Sequence, residues 1–306
     1  MQEIKIGVND AGQRLDRFLQ KHYATLTKSM MYKAIRNKKI KVNRKRCTYD
    51  QKLQEGDSIL LFLPYEFLEA RQKACPVNTG SVDVVYEDDD IVLVNKPAGL
   101  LSQSDEKGLQ DTLVSRIQYY LYQKKEYDPQ RENSFAPAIC HRLDKNTSGL
   151  ILAAKNARAL RLMNDAIACH KVRKVYCAKI EGTPLWDTRE VVCYIKKQET
   201  RALVQSNEAP GYKEARMFVK VMERQKEQTM VQIHLETGRF HQIRASMAYL
   251  GYPLCGDVKY GYKGSEKKYS LCAYHLEIGD VSLPIANKDF TVPIPFQLDE
   301  NPYRGV

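Results

Sequence analysis

Near the start of the chain, apolar residues recur every three or four positions. Leu15, Phe18 and Leu19 share one helical face, and so do Met31, Ala34 and Ile35. Ahead of them Gln2-Glu3-Ile4-Lys5-Ile6 alternates polar and apolar, as a strand with one buried face does. Lys39-Ile40-Lys41-Val42-Asn43 alternates in the same way, and Asp57 to Leu63 reads as a further strand. The spacing predicts a small α/β unit over residues 1–65. Residues 66–83 lose this periodicity and carry Pro76 and Gly80, which predicts a linker. A second unit follows over residues 84–306. Its first strand is the apolar run Ile91-Val92-Leu93-Val94, ended by the turn residues Pro97-Ala98-Gly99. Leu150-Ile151-Leu152 reads as a buried strand. Asn156 is placed to cap a helix whose Ala157, Leu160, Met163 and Ile167 share a face. Val175–Ile180 and Thr229–Leu235 read as strands, and a short helix around Arg244 ends at Gly251 with Pro253 behind it. Strands and helices do not alternate strictly. The expected fold is therefore α+β: a mixed, largely antiparallel sheet with flanking helices, beside a small α/β N-terminal domain.

Charge sharpens this picture. The 306 residues carry a formal charge of +11, which points to a polyanionic partner, either nucleic acid or an acidic membrane surface. Between Thr27 and Arg46 there are nine basic residues and no acidic one. A basic run without acidic partners cannot be a salt-bridged helix face. Lys33, Arg36, Lys38, Lys39, Arg44 and Arg46 are the candidate contacts to a nucleic acid. The first residues lack the charged-then-apolar pattern of a secretory leader, and no run of about 18 apolar residues is long enough to cross a bilayer. The eight cysteines form no Cys-x-x-Cys pair and the six histidines no cluster. A cytoplasmic protein without membrane attachment, with reduced thiols and no metal site, is expected.

The candidate chemistry lies in Cys140-His141-Arg142-Leu143-Asp144-Lys145-Asn146-Thr147-Ser148-Gly149. Arg142 and Asp144 are two apart, so an extended segment turns both to one side. A Thr-Ser-Gly turn and a buried strand then follow. This string resembles the catalytic motif of the RluA-type pseudouridine synthases. The resemblance runs from about residue 84 to 297, and also takes in Lys96-Pro97-Ala98-Gly99 and Thr237-Gly238-Arg239-Phe240-His241-Gln242-Ile243-Arg244. Over roughly fifty residues the N-terminal unit is similar to a small RNA-binding domain first seen in a ribosomal small-subunit protein. The chain departs from the family pattern at Lys145-Asn146, Phe240 and Ser246, so the wall of its pocket is expected to differ in detail from the family's.

The resemblance implies a cofactor-free isomerase that converts uridine to pseudouridine in structured RNA. It implies Asp144 as the essential carboxylate, Arg244 as its buried cationic partner and Tyr176 as the ring facing the target base. Arg142, His141, Lys96, Arg239 and His241 are implied RNA contacts. Gly238, at the expected helix start, would leave backbone N–H groups free for an anion. Large-subunit ribosomal RNA is the expected substrate, with transfer RNA as the alternative, and the protein is expected to act as a monomer. Two rival readings remain. The first is a non-catalytic RNA-binding ribosome-assembly factor, but binding alone has no use for a carboxylate facing phosphates. The second is a phosphotransferase acting through Asp144, but its loop would need a spacing shifted by one residue.

Overall fold

The N-terminal apolar positions close around a core of their own. Strand β1 (Gln2–Lys5) precedes helices α1 (Leu15–His22) and α2 (Lys28–Arg36), and strands β2 (Ile40–Val42), β3 (Lys45–Arg46) and β4 (Ser58–Leu61) follow. The structure is a computed structural model that describes residues 1–71, 75–77, 80–104 and 111–298. It pairs these strands antiparallel in the order β1-β4-β2-β3. Leu15, Phe18, Leu19, Met31 and Ala34 are buried against that sheet, as their spacing predicts. Thr27 caps α2 by accepting from the N–H of Met30. Leu68 packs into the same core, so this unit extends beyond residue 65.

The second unit contains β5 (Val84–Glu87), β6 (Ile91–Lys96), α3 (Leu113–Gln123), β7 (Ala138–Ile139), β8 (Ser148–Ala154) and α4 (Ala157–Ala168). It continues with β9 (Val172–Glu181), β10 (Thr188–Gln198), β11 (Arg201–Gln205), β12 (Lys213–Arg224) and β13 (Gln228–Leu235). Helix α5 (Gln242–Tyr249) and strands β14 (Leu271–Ile278) and β15 (Asp289–Thr291) complete it. Its strands form one sheet in the order β11-β10-β12-β13-β9-β14-β8-β6-β5, with β15 beside β14 and β7 beside β8. Every described pairing in it is antiparallel except β14 with β8. The fold is thus mixed α+β, as the pattern predicts.

Helices cover both faces of the sheet at β6. On β6, Val92 and Val94 join a core with Leu113, Ile117 and Leu121 of α3 and with Ile243 and Met247 of α5. Ile91 and Leu93 face the other way, onto Ala159, Met163 and Ala166 of α4. A strand buried on both faces reads as a continuous apolar run rather than an alternation. That is why β6 and β8 stand out in the sequence.

One local expectation is corrected. The turn after Asp144 is not Thr-Ser-Gly. It closes earlier, where the N–H of Thr147 donates to the carbonyl of Asp144 at 3.1 Å. Ser148 and Gly149 already belong to β8. Gly149 is required for another reason: its φ is +113°, and a Cβ there would collide with the backbone of Ala273.

The two units touch through polar groups. Buried Asp10 accepts from Ser134 Oγ at 2.6 Å and from Asn133 Nδ2 at 2.8 Å. Asn9 accepts from the N–H of Ala157 at the start of α4, at 3.1 Å.

Candidate active site

Asp144 sits in the loop between β7 and β8, and buried side chains grip that loop on either side of it. Ser102 Oγ donates to the carbonyl of Leu143 at 2.6 Å and accepts from its N–H at 3.2 Å. Lys96, at the end of β6, spends all three ammonium protons on carbonyls: Pro97 at 2.9 Å, Leu100 at 2.8 Å and Lys145 at 3.0 Å. The backbone is thus fixed at the residues flanking Asp144, and the carboxylate is presented to a cleft of about 810 Å³. Arg142, exposed, lines the same cleft.

Arg244, on α5, faces the carboxylate. Its Nη1 donates to Asp144 Oδ2 at 3.2 Å. Its Nε and Nη2 donate to Asp257 Oδ2 and Oδ1, at 2.7 and 2.9 Å. The guanidinium carbon lies 4.2 Å from the centre of the Tyr269 ring. Burial alone would ease its deprotonation, but the hydrogen bonds to Asp257, together with the electrostatic pull of Tyr269, Asp257 and Asp144, outweigh this and hold it firmly charged. Asp257 is 2% exposed and Arg244 6%. One planar fork therefore joins a structural carboxylate to the carboxylate of the cleft, a geometry that a lysine cannot copy.

His241 precedes α5 in the left-handed conformation, φ +52°. Its Nε2 is 3.6 Å from Asp144 Oδ2, and its Nδ1 is 2.8 Å from the hydroxyl of Tyr260. The Phe240 ring stacks on it with centroids 3.8 Å apart. Burial pushes the imidazole pKa down to about 4, against the opposing pull of Asp144, so the ring is neutral at physiological pH. Tyr176, on β9, is 6% exposed and lines the cleft. Burial, reinforced by the charge of Asp144, raises its phenol well above the usual range. It therefore keeps its proton near neutrality.

Two expected RNA contacts are turned inward instead. Lys96 is fully buried; with every donor bound to a carbonyl it cannot reach a nucleic acid. Burial brings its pKa down to about 8, opposed by the charge of Asp144. His141 also lines the cleft, but its Nε2 accepts the N–H of Leu152 at 3.2 Å, so the ring props up β8. Arg239 lines the cleft with its Nε bound to the carbonyl of Glu214 at 2.7 Å. Gly238 does not open a helix, because α5 begins four residues later at Gln242. In the N-terminal unit Lys33, Arg36, Lys38 and Arg46 border a groove of about 650 Å³. Lys39 and Arg44 are exposed but do not line it.

Asp257, Tyr260 and Tyr269 belong to the site although no sequence motif singles them out. They lie beyond α5, and their partners are 13 to 122 residues away. The only local hint is Gly256-Asp257, where Gly256 has φ +83° and its Cβ position is closed off by the backbone of Lys268.

His141 gives a pH prediction. Burial pushes its pKa down to about 3, below the ~6.5 of an unfolded imidazole. Between those values the unfolded chain binds a proton that the native one does not. The associated stability is complete above about pH 6.5 and falls as the pH drops towards 3, by about 1.4 kcal/mol per unit. Urea unfolding from pH 7 to 4.5 is expected to show a shallower decline for His141→Gln than for the wild type. Parallel declines would contradict it.

Residues 90–249 match the family described as RNA pseudouridylate synthase, and residues 13–59 match the S4 domain. The ribosomal large subunit pseudouridine synthase C of Vibrio parahaemolyticus is 28% identical over 300 residues, covering 96% of this chain and 89% of that protein. The enzyme of the same name from Rickettsia bellii is 32% identical over 260 residues, covering 81% and 82%. An RNA pseudouridine synthase of Mycoplasma capricolum is 31% identical, covering 93% and 94%. Among solved structures, human RNA pseudouridylate synthase domain containing 4 superposes with a TM-score of 0.58 at 18% identity, covering 70% of this chain and 88% of that one. That likeness concerns the fold.

Proposed function

Because the chain belongs to the RNA pseudouridylate synthase family, we propose that its target uridines lie in large-subunit ribosomal RNA and that Asp144 is the carboxylate acting on them. The reaction breaks the bond from ribose C1′ to uracil N1, turns the base over and joins C1′ to C5. The C5 proton is released and N1 gains one, so nothing is consumed. The site must supply a carboxylate beside the sugar, a cation to hold its charge and a surface for the loose base.

The observation that carries this reading is the convergence of Asp144, Arg244 and Tyr176 on one cleft. Asp144 acts either as a nucleophile at C1′ or as a base that takes the C2′ proton. Its side chain is 30% exposed beside the 7% of Arg244, so the carboxylate is reachable while its partner is sheltered. Tyr176 offers the base a flat ring and, through its hydroxyl, a proton relay at C5. The target must leave its stack, at a cost of a few kcal/mol. Arg142 and Arg239 at the rim, with the basic groove of the S4 domain, offset that cost through phosphate contacts. The printed names of the relatives from Vibrio and Rickettsia support the choice of large-subunit RNA.

The test is tritium release. Purified protein is mixed with a large-subunit ribosomal RNA transcript carrying tritium at uridine C5. Release without any added metal or cofactor is expected, and release from transfer RNA transcripts alone would move the substrate to that class. Tyr176→Phe keeps the ring and loses the hydroxyl. It is expected to bind RNA normally and release tritium at least about a hundredfold more slowly, within the range of general acid–base groups. Equal rates would remove the hydroxyl from the proton path.

The S4 domain is best tested by substitution, since deleting it would also remove Asn9 from the start of α4. Lys33→Gln, Arg36→Gln and Arg46→Gln together are expected to flatten the plot of log affinity against log salt. Each phosphate that is no longer neutralised should lower the slope by about 0.7–0.9. An unchanged slope would make this face mere solvated surface.

A further inference from the structure

Two donors approach the same oxygen of Asp144. Arg244 Nη1 is 3.2 Å from Oδ2, and His241 Nε2 is 3.6 Å from that same Oδ2. Among the described residues no hydrogen bond reaches Oδ1. Whether His241 presents a hydrogen or a lone pair there depends on its tautomer, and the surrounding bonds decide that.

The phenolic oxygen of Tyr260 has two neighbours. It accepts the backbone N–H of Ala202 at 2.8 Å, and it lies 2.8 Å from His241 Nδ1. A phenol has one proton to donate. With an acceptor position already taken by Ala202, that proton is free for Nδ1. A lone pair on Nε2 would face the Asp144 carboxylate, so a neutral ring carries its proton on Nε2 and Nδ1 accepts from Tyr260. The ring is held in place by Phe240 stacked on it and by Tyr260 edge-on, with centroids 5.6 Å apart. The charged groups around it are Asp144, Arg244, Lys259 and Asp257; burial, helped by the positive charges of Arg244 and Lys259, outweighs the pull of Asp144 and Asp257 and keeps the ring neutral.

We propose that Tyr260 and His241 form a positioning pair that, with Arg244, commits Oδ2 of Asp144 to the protein and leaves Oδ1 for the nucleotide. This rests on Asp144 being the reacting carboxylate. A neutral donor suits the task. A histidinium would form a full ion pair with Asp144 and compete with the sugar for its negative charge, whereas a neutral N–H orients the group without neutralising it. The 3.6 Å separation is slightly beyond a hydrogen bond and is expected to shorten when RNA closes the cleft.

The pair can be tested without any reaction. Protein labelled with ¹⁵N at histidine reports by NMR which ring nitrogen carries the proton, and His241→Gln identifies the resonances by their loss. The wild type is expected to show His241 protonated at Nε2 alone at pH 7. In Tyr260→Phe, which keeps the ring beside Arg244 and removes only the hydroxyl, a population protonated at Nδ1 should appear. A wild-type spectrum with the proton on Nδ1, or a spectrum unchanged in Tyr260→Phe, overturns the proposal.

Kinetics then test what the pair does. Under single-turnover conditions on tritiated ribosomal RNA, Tyr260→Phe is expected to be slower by about 10- to 100-fold, the scale of a misplaced reacting group, with RNA affinity unchanged. His241→Leu should fall at least as far. His241→Gln, whose amide N–H reaches to the place of Nε2, should recover most of that loss. Tyr260→Phe and His241→Leu both within twofold of the wild type would overturn the role. Asp144→Asn run beside them separates the two levels: if it kept turnover, the reading of Asp144 would fall, while the spectra would still decide the tautomer.

Discussion

Asp144→Asn is expected to bind RNA as the wild type does and to lose turnover by about a thousandfold or more, as removal of a central reacting group does. The change is nearly isosteric. Its amide oxygen can still accept from Arg244 Nη1, and Arg244 keeps both bonds to Asp257. The loop stays gripped by Lys96 and Ser102, because those bonds go to backbone carbonyls that the substitution leaves alone. Only the negative charge and the basic oxygen are removed. A rate within about tenfold of the wild type, with unchanged affinity, would take Asp144 out of the central role.

Arg244→Met is expected to damage both stability and turnover, and the two effects can be separated. The substitution leaves the carboxylate of Asp257, whose side chain is 1% exposed, without its counter-charge. Breaking a buried pair from one side costs about 3–5 kcal/mol, read as a lower urea midpoint at unchanged slope. Arg244→Lys should be less harmful but impaired, because one ammonium cannot span Asp144 and Asp257 together. Combining Arg244→Met with Asp257→Leu replaces the pair by apolar groups. That double variant is expected to regain much of the stability and none of the turnover. Recovery of both would make Arg244 purely structural. Recovery of neither would mean that the space between α5 and the Tyr269 ring does not tolerate apolar packing.

The parts of the fold that are legible in the sequence are those with a strong period or a buried run. The helices α1 and α2 and the strands β6 and β8 appear within a few residues of their predicted places. Helix α3 is harder to read although its signal exists. Leu113, Ile117 and Leu121 are four apart, and Thr112 and Ser115 form a reciprocal cap, but serine stands where glutamate or glutamine usually marks that motif. Strands β10 to β12 reach the exposed rim of the sheet, and their apolar positions alternate with many charges that weaken the pattern.

In the site, the residues named from the motifs do meet: Asp144, Arg244, His241 and Tyr176 line one cleft. Their supports are not legible. Asp257, Tyr260 and Tyr269 are brought in by the return of the chain to β14, and no local spacing announces such contacts. Lys96 shows the opposite failure. A lysine beside Pro97-Ala98-Gly99 reads as an exposed turn cation, whereas burial and three carbonyl acceptors make it a pin for the loop. Residue type alone cannot separate a charge that meets a ligand from one that holds the backbone. The thiols divide similarly: Cys177, Cys193, Cys255 and Cys272 are buried, while Cys75 and Cys169 are exposed.

The most direct test is a single-nucleotide map of pseudouridine in large-subunit ribosomal RNA. It compares cells that carry the wild-type protein, cells that lack it and cells that carry Asp144→Asn. One or more positions are expected to be pseudouridine with the wild type and uridine in the other two. Identical maps in all three, or restoration of the missing positions by Asp144→Asn, would contradict the assignment of substrate and carboxylate alike.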